Sequence, residues 1–146
     1  MKILAVASVG GHWVQLLRLM PLFNQHETVF VSTREDFKNM VDQEFYSISD
    51  FNRSNMQGLV KAFSTIRKIL KTEKPDVVIT TGAAPGLLVL FLAKLRGIKT
   101  IWLDSIANVE ELSLSGKLAS KFCSRVYTQW PDLATEKIIY AGNVLK

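Results

Sequence analysis

Residues 8–12, Ser-Val-Gly-Gly-His, join an apolar run to a helical pattern. The run at residues 3–7 predicts a buried first strand, while Trp13 and Leu16 begin a helical spacing. The first turn of a helix carries unpaired N–H groups and about half a positive charge, so it can hold an anion. Glycines let a phosphate approach the backbone closely, and His12 adds a titratable group. The turn therefore predicts a phosphate-bearing ligand and acid–base chemistry, with a plain tight turn in which His12 caps the helix as the alternative.

Two further loops carry small and polar residues directly after predicted strands. Thr81 and Gly82 begin the first of these loops, which would form, beside the glycine turn, a crevice suited to a diphosphate or a sugar. Asp104 and Ser105 begin the second loop. A carboxylate at the end of a buried strand needs a partner, which a ligand hydroxyl or a nearby histidine would supply. The plainer interpretations are an ordinary strand-to-helix loop at Thr81 and a helix or turn cap at Asp104.

Strands and helices alternate along the chain and must position these loops. Strands are predicted near residues 2–7, 28–32, 44–48, 76–81, 99–103, 125–128 and 137–140, and helices near 12–22, 34–41, 56–72, 85–96, 115–122 and 131–135. This alternation predicts an α/β fold: a single Rossmann-like, doubly wound domain over residues 1–146 with a mainly parallel sheet. Ligands of such domains bind at the carboxyl ends of the strands. Residues 50–55 are expected to form a mobile loop.

Composition restricts the class of protein. The chain has 146 residues, as in one ordinary domain. It has 18 basic and 13 acidic residues, and the net charge of +5 favours an anionic partner, which could be nucleic acid, a phospholipid surface or a phosphorylated substrate. Cys123 is the only cysteine, which excludes an intramolecular disulfide and a cysteine-based zinc site. A reducing compartment fits this cysteine count, and the two histidines make a histidine-based metal cluster unexpected.

Several nucleotide-binding and hydrolase motifs are missing. The glycine turn lacks the third glycine of the dinucleotide fingerprint, and the second strand ends in Val31-Ser32-Thr33 where that fingerprint needs an acidic residue. Neither the P-loop pattern nor the GxSxG elbow of the α/β-hydrolases occurs. An NAD site, P-loop nucleotide hydrolysis and serine-hydrolase chemistry are therefore disfavoured.

The pattern at residues 56–72 predicts an amphipathic helix. Its predicted core face consists of Met56, Leu59, Val60, Phe63, Ile66, Ile69 and Leu70. Its cations, mostly off that stripe, are Lys61, Arg67, Lys68 and Lys71. They suit an anionic lipid surface, or they form a plain solvated face. The longest apolar stretch, at residues 86–93, is too short to span a bilayer, and the first residues do not resemble a signal peptide, so a cytosolic protein is expected.

Several short motifs resemble one family across nearly the whole chain. They are Ser8-Val9-Gly10-Gly11-His12 with Gln15-Leu16, then Thr80-Thr81-Gly82, Asp104-Ser105, Leu112-Ser113-Leu114-Ser115-Gly116-Lys117, Gln129-Trp130-Pro131 and Tyr140-Ala141-Gly142. In this order they resemble the membrane-anchoring subunit of two-component UDP-GlcNAc transferases. That family has a eukaryotic dolichol-linked version and bacterial capsular and exopolysaccharide relatives of the PssD type. It is similar to the N-terminal, acceptor-side half of GT-B glycosyltransferases such as MurG.

The resemblance implies half of an enzyme. The chain would bind a polyprenyl-diphosphate-linked acceptor, while a separate subunit resembling the C-terminal half of a GT-B enzyme would bind the UDP-sugar. No cofactor, metal or nucleic acid is expected on this chain. By motif position, the residues that bind the acceptor diphosphate or sugar would be Ser8, Gly10, Gly11, His12, Thr81, Gly82 and Ser105. His12 is the implied base or hydrogen-bond donor as a sugar hydroxyl attacks the anomeric carbon, and Asp104 is implied as a supporting residue.

Membrane and partner contacts follow from the same resemblance. Eukaryotic members carry an N-terminal membrane helix that is not expected here. Attachment would instead be peripheral, on the inner face of the cell membrane, through basic and apolar surface near residues 12–22, 56–72 and 85–96. Residues 140–146 and the open strand edges are expected to dock the partner. Two other functions remain compatible with the residues: an adaptor that only recruits its partner, and a free-standing Rossmann-like nucleotide-binding protein.

Overall fold

One parallel sheet forms the centre of the computed structural model, which describes residues 1–51 and 54–145. The described strands are β1 (Lys2–Val6), β2 (Glu27–Ser32), β3 (Glu44–Ser47), β4 (Val77–Thr80), β5 (Lys99–Leu103), β6 (Arg125–Thr128) and β7 (Ile138–Tyr140). The described α-helices are α1 (Gly11–Leu17), α2 (Met20–Phe23), α3 (Met56–Glu73), α4 (Ala84–Leu95) and α5 (Leu114–Ala119). Two 3₁₀ helices lie at Glu35–Met40 and Pro131–Leu133.

The predicted doubly wound α/β architecture is confirmed. The strand order is β3-β2-β1-β4-β5-β6-β7, and each pairing between these strands is parallel. The chain moves outward from β1 to β3 and returns through α3 to β4 on the other side of β1, which places the topological switch point between β1 and β4. Because β1 pairs with β4 and β4 with β5, the loops that leave these strands lie side by side.

Some predicted helices differ from the observed ones. The helix predicted at residues 12–22 is divided into α1 and α2. Pro21 lies in the first turn of α2, where its missing N–H is tolerated, but it could not donate within one longer helix. The helix predicted at residues 34–41 is a 3₁₀ helix. Within the segment predicted to be mobile, residues 52 and 53 lie outside the described residues.

Alternate residues of β1 point to the two faces of the sheet. Leu4 and Val6 pack in one apolar cluster with residues of α3, α4 and α5. Ile3 and Ala5 pack in the other cluster with Trp13 of α1 and neighbouring aromatic side chains. A strand that is covered on both faces needs apolar side chains at every position, which explains the unbroken apolar run in the sequence.

The predicted core face of α3 is correct in the second half of the helix and mostly wrong in the first half, where Leu59 is half-buried. The buried residues of α3 are Gly58, Ala62, Ile66, Ile69 and Leu70. Predicted core residues that are exposed instead are Met56, Val60 and Phe63. A Cβ at Gly58 would collide with the carbonyl oxygen of Asp50, so the backbone approaches too closely for a larger side chain. Small residues therefore form the contact in the first half of α3, and the large ones turn outward.

Candidate functional site

A crevice of about 280 Å³ lies at the carboxyl ends of β1, β4 and β5. It is lined by His12, Thr81, Ala83, Trp102, Asp104, Ser105, Ala107, Asn108, Ser113 and Ser115. Four predicted site residues therefore meet here, namely His12, Thr81, Asp104 and Ser105. The other predicted residues, Ser8, Gly10, Gly11 and Gly82, lie in the same loops but outside the crevice wall itself.

Ser8 joins the loop after β1 to the loop after β4. Its backbone N–H donates to the Gly82 carbonyl oxygen at 2.9 Å, and its side-chain oxygen accepts from the Ala83 N–H at 3.2 Å. Both bonds are shielded from water because Ser8 is buried. Ser8 therefore fixes the spacing of the two loops.

The second loop holds the His12 imidazole. Nδ1 of His12 lies 2.9 Å from the Thr81 carbonyl oxygen, and the Thr81 hydroxyl donates to the His12 carbonyl oxygen at 2.6 Å. A carbonyl oxygen only accepts hydrogen bonds, so in the neutral ring Nδ1 carries the hydrogen and Nε2 carries the lone pair. Nε2 can therefore accept a proton or a hydrogen bond from a group in the crevice.

The alternative in which His12 caps α1 is wrong. The N-cap of α1 is Gly10, and among the described residues no side chain caps this helix end. The first N–H groups of a helix have no carbonyl acceptor within the helix. The start of α1 therefore presents backbone donors beside His12.

Three glycines lie around His12, and the described structure explains two of them. Gly82 has a φ of 117°, and a Cβ there would lie 2.7 Å from Nδ1 of His12, so a side chain would displace the imidazole. Gly10 has a φ of 75°, which other residues rarely adopt. Gly11 has no such φ, and its Cβ would meet no described atom within 4 Å. The packing of the described residues thus gives no reason for a glycine at position 11.

Asp104 is 1% exposed, and its carboxylate accepts hydrogen bonds from its own loop and strand. The donors are Ser113 Oγ at 2.7 Å, Trp102 Nε1 at 2.9 Å, the Ser113 N–H at 3.0 Å and Asn108 Nδ2 at 3.1 Å. These four bonds match the lone-pair sites of a carboxylate. The structure thus agrees with the plainer interpretation of Asp104 as a turn cap, because the carboxylate folds residues 105–113 into one wall of the crevice.

Sequence reasoning missed several residues of this wall. Ser113 caps α5 by accepting from the Gly116 N–H at 2.9 Å, and the Ser-Leu-Ser-Gly sequence was an available N-cap signal. Asn108 carried no such signal, since it reaches Asp104 only through the fold of the loop. Gln15 was given no role, although its Nε2 donates to Ser105 Oγ at 3.0 Å.

Basic side chains gather on the outer face of α3 and α4. Arg67, Lys68, Lys71 and Arg96 line a shallow depression of about 260 Å³ beside Phe63. This surface combines positive charge with exposed apolar side chains. Among the residues that the structure describes, no helix combines the length and the apolar character needed to cross a membrane.

An apolar groove of about 380 Å³ lies on the opposite face of the sheet, over β4, β5 and β6. Ile79, Ile101 and Tyr127 contribute strand side chains to this groove. Arg18 and residues 141–144 form its border. The groove therefore lies between the side chains of β4, β5 and β6 on this face and the C-terminal segment.

Tyr46, Glu73 and Cys123 have shifted pKa values. The Tyr46 hydroxyl donates to Glu73 at 2.7 Å, and Lys2 forms an ion pair with Glu73 at 2.9 Å. The hydrogen bond from Tyr46, followed by that from Lys2, lowers the pKa of Glu73, while the same bond and burial raise the pKa of Tyr46 to about 12. Burial raises the pKa of Cys123 to about 11. Within residues 1–51 and 54–145, no group of three His, Cys, Asp or Glu side chains could hold a metal ion.

The sheet order and the crevice at its switch point define a Rossmann-like domain of the type that forms one half of a GT-B enzyme. The chain is similar in structure to MurG of Acinetobacter baumannii, with a TM-score of 0.75 at 18% identity over 98% of this chain and 46% of that one. The family described as "Oligosaccharide biosynthesis protein Alg14 like" matches residues 3–144, and the chain belongs to that family. The predicted family resemblance is confirmed.

Two relatives show how much of a longer protein the chain covers. The UDP-N-acetylglucosamine transferase subunit ALG14 of Eremothecium gossypii is 37% identical over 90 residues, which cover 56% of this chain and 40% of that protein. The UDP-N-acetylglucosamine–N-acetylmuramyl-(pentapeptide) pyrophosphoryl-undecaprenol N-acetylglucosamine transferase of Leuconostoc citreum is 29% identical over 160 residues, covering 97% and 43%. The chain thus matches less than half the length of each of these two relatives.

Proposed function

We propose that this chain is the acceptor-binding and membrane-recruiting subunit of a two-component glycosyltransferase. The sugar passes from a UDP-sugar, such as UDP-GlcNAc, to a polyprenyl-diphosphate-linked intermediate of oligosaccharide or polysaccharide biosynthesis. The observation that carries the proposal is the orientation of His12 by Thr81 in a crevice beside a glycine turn. The relatives named as a transferase subunit and as a pyrophosphoryl-undecaprenol transferase support this reaction class and this acceptor class.

The acceptor diphosphate lies at the start of α1 in this proposal. Gly10 and Gly11 present backbone N–H groups there, and the helix dipole adds partial positive charge. Without a side chain at Gly11, a phosphate oxygen can come within hydrogen-bond distance of the backbone. The hydroxyls of Ser8 and Ser105 and the loop at Gly82 complete the acceptor site.

His12 acts on the attacking hydroxyl. Nε2 takes the proton as the hydroxyl oxygen of the acceptor sugar bonds to the anomeric carbon of the donor. The bond between that carbon and the UDP oxygen breaks, and UDP leaves with the electron pair. The Thr81 carbonyl stabilises the imidazolium that forms, since it accepts the Nδ1 hydrogen throughout. Asp104 supports this step by holding the wall of the crevice in place.

A separate subunit, resembling the C-terminal half of a GT-B enzyme, binds the UDP-sugar in this scheme. The docking surface comprises residues 140–145 with the adjoining apolar groove and the outer edge of β7. Residue 146, which belongs to the predicted docking segment, lies outside the described residues. The exposed Tyr140 and the apolar lining of the groove supply the surface that a stable interface buries.

The outer face of α3 and α4 attaches the chain peripherally to the inner face of the cell membrane, the chain itself being cytoplasmic. Because α3 precedes β4 and runs opposite to it, its first turns lie level with the carboxyl ends of the strands and hence with the crevice. The exposed Met56 and Val60 are in these turns, and Arg67 and Lys71 follow along the helix. Apolar side chains enter the interface while cations meet anionic headgroups.

A transfer assay with the reconstituted pair tests the catalytic part of the proposal. We expect His12→Ala to lower transfer by at least about a hundredfold, the contribution of a general base, with partner binding unchanged. His26→Ala is the matched control, because His26 precedes β2 at the opposite end of the sheet and should leave transfer intact. Full activity of His12→Ala would remove this residue from the mechanism.

The two other functions predict different outcomes for the same preparations. For an adaptor without a catalytic role, changes at Gly10 or His12 would alter only the recruitment of the partner. For a free-standing nucleotide-binding protein, the chain alone would bind a UDP-sugar or NAD tightly in calorimetry. We expect no such binding, and turnover of a UDP-sugar by the isolated chain would refute the division between two subunits.

Flotation with phosphatidylglycerol vesicles tests the membrane surface. Reversal of Arg67, Lys68 and Lys71 to Glu should reduce vesicle partitioning by at least about a hundredfold, since each cation near an anionic surface contributes about 1 kcal/mol. Lys137→Glu, next to β7, is the control and should partition as the unmodified chain does. Unchanged partitioning of the triple variant would refute this assignment of the membrane surface.

A further inference from the structure

Two buried glutamines connect the crevice to another part of the chain. Gln15 lies on α1, one turn after the histidine, and Gln129 follows β6; they are 8% and 1% exposed. Gln129 Nε2 donates to Gln15 Oε1 at 2.7 Å and to the Asp104 carbonyl oxygen at 2.9 Å. Gln15 in turn donates to Ser105 Oγ at 3.0 Å and accepts from the Ile106 N–H at 3.1 Å. These bonds tie α1 to the loops after β5 and β6.

The same network reaches the C-terminal segment. Gln129 Oε1 accepts from the Val144 N–H at 3.0 Å, and Val144 borders the apolar groove. The partners fix the orientation of both amides. A flip of Gln129 would set Nε2 against the Val144 N–H, and a flip of Gln15 would set Nε2 against the Ile106 N–H. A single arrangement thus satisfies every partner from the groove to the crevice.

We propose that Gln15 and Gln129 are positioning residues that couple the C-terminal segment to the acceptor crevice. A partner that orders residues 141–144 holds Gln129, and Gln129 holds Gln15 and the loop that begins with Ser105. The identity of the two ligands rests on the proposed function, whereas the hydrogen-bonded network does not. Because linkage is reciprocal, acceptor binding strengthens partner docking by the same factor as docking strengthens acceptor binding.

Hydrogen exchange of the isolated chain tests the network without any ligand. Val144→Pro removes the N–H that bonds to Gln129. We expect exchange of the Ile106 amide, at the far end of the network, to rise about fivefold, the factor that one net hydrogen bond is worth. Leu145→Pro is the matched control, because the Leu145 N–H donates to Asn143 and not to Gln129. An unchanged Ile106 amide in Val144→Pro, or an equal rise in both variants, would overturn the coupling.

Titration of the partner with and without farnesyl diphosphate, a short polyprenyl diphosphate, tests the linkage. The wild-type chain should bind its partner at least about fivefold more tightly with the diphosphate bound. Gln129→Met, which keeps the length but loses these hydrogen bonds, should reduce that factor to about one. Thr100→Val removes part-buried bonds to Ser124 at the amino end of β5 and should preserve the factor.

The outcomes separate this inference from the proposed function. If the diphosphate still tightens partner binding in Gln129→Met as in the wild-type chain, the coupling is refuted and the proposed function is unaffected. If the wild-type chain binds neither the partner nor the diphosphate, the proposed function fails, and hydrogen exchange at Ile106 still decides whether the network connects its two ends.

Discussion

The glycine turn allows a test in which folding and ligand binding change in opposite directions. Gly11→Ala adds a methyl group at the first residue of α1, where it would meet no described atom within 4 Å. Alanine is favoured over glycine in a helix by up to about 1 kcal/mol. We therefore expect the thermal stability of Gly11→Ala to equal or slightly exceed that of the unmodified chain.

Gly10→Ala is the contrasting change. Gly10 has φ 75° and ψ −138°, a conformation in which a residue with a side chain is strained. The cost of such a conformation is about 1–3 kcal/mol. Each kcal/mol shifts the Tm of a domain of this size by about 2–4 °C, so we expect a loss of about 2–12 °C. Gly97→Ala, with φ 76° at the end of α4, reports a similar backbone strain away from the turn.

The affinity of the variants for the acceptor should not follow the order of their thermal stabilities. If a diphosphate lies against the first N–H groups of α1, the added methyl of Gly11→Ala holds it away from them. A hydrogen bond to a charged group is worth about 1.5–3 kcal/mol, so the loss of one such bond weakens binding by at least about tenfold. Gly97→Ala should bind normally in spite of its lower Tm.

Calorimetric titration with farnesyl diphosphate and thermal unfolding of the same preparations are the assay. The expected result is a Gly11→Ala chain with an unchanged Tm and weakened diphosphate binding. If Gly11→Ala binds the diphosphate as tightly as the unmodified chain, the diphosphate does not lie at this turn and the reasoning fails.

Three further predictions concern the stability of the fold. Asp104→Ala leaves buried donors without an acceptor and should lower the free energy of unfolding, measured in urea, by about 3 kcal/mol, whereas an unchanged value would contradict its role as a turn cap. Gly58→Ala should lower the Tm despite the helix preference of alanine, because its Cβ meets a backbone carbonyl; a higher Tm would show that α3 can shift. The hydrogen bond from Tyr46 lowers the pKa of Glu73 below its ordinary value of 4.5. The bond therefore stabilises the fold at pH values above 4.5, and this stability is lost as the pH falls through the lowered pKa. Tyr46→Phe should therefore lose less stability than the unmodified chain on acidification in urea unfolding, and an equal loss would contradict the assignment.

The sheet was predictable because its strands are buried on both faces. Unbroken apolar runs such as residues 77–79 identify buried strands without reference to the partner strand. The helical segments between these strands indicate parallel crossovers. The core face of α3 was not predictable from spacing alone. Helical periodicity places Phe63 and Ile66 on related faces, and only the close approach of the backbone at Gly58 decides that the helix rotates Phe63 outward.

The site was predictable to the level of loops and not of side-chain partners. The alternation of elements predicts that His12 and Thr81 share the carboxyl edge of a parallel sheet. The pairing of β1 with β4, which makes them neighbours, is seen only in the structure. The bond between these residues spans 69 positions in the chain and depends on the rotamer of the imidazole, which no pattern encodes. The partners of Asp104 were hidden for a similar reason, because Asn108 and Ser113 reach the carboxylate only after the loop has folded back.

The close contact between Gly82 and the His12 ring carries a consequence for how such chains diverge. A methyl group there would occupy the volume of the His12 ring, so a relative that gains a side chain at position 82 must give up this placement of the imidazole. We expect the two positions to be retained or lost together across related lineages. The size of the residue at position 82 would then indicate which relatives keep the histidine imidazole in position for proton transfer.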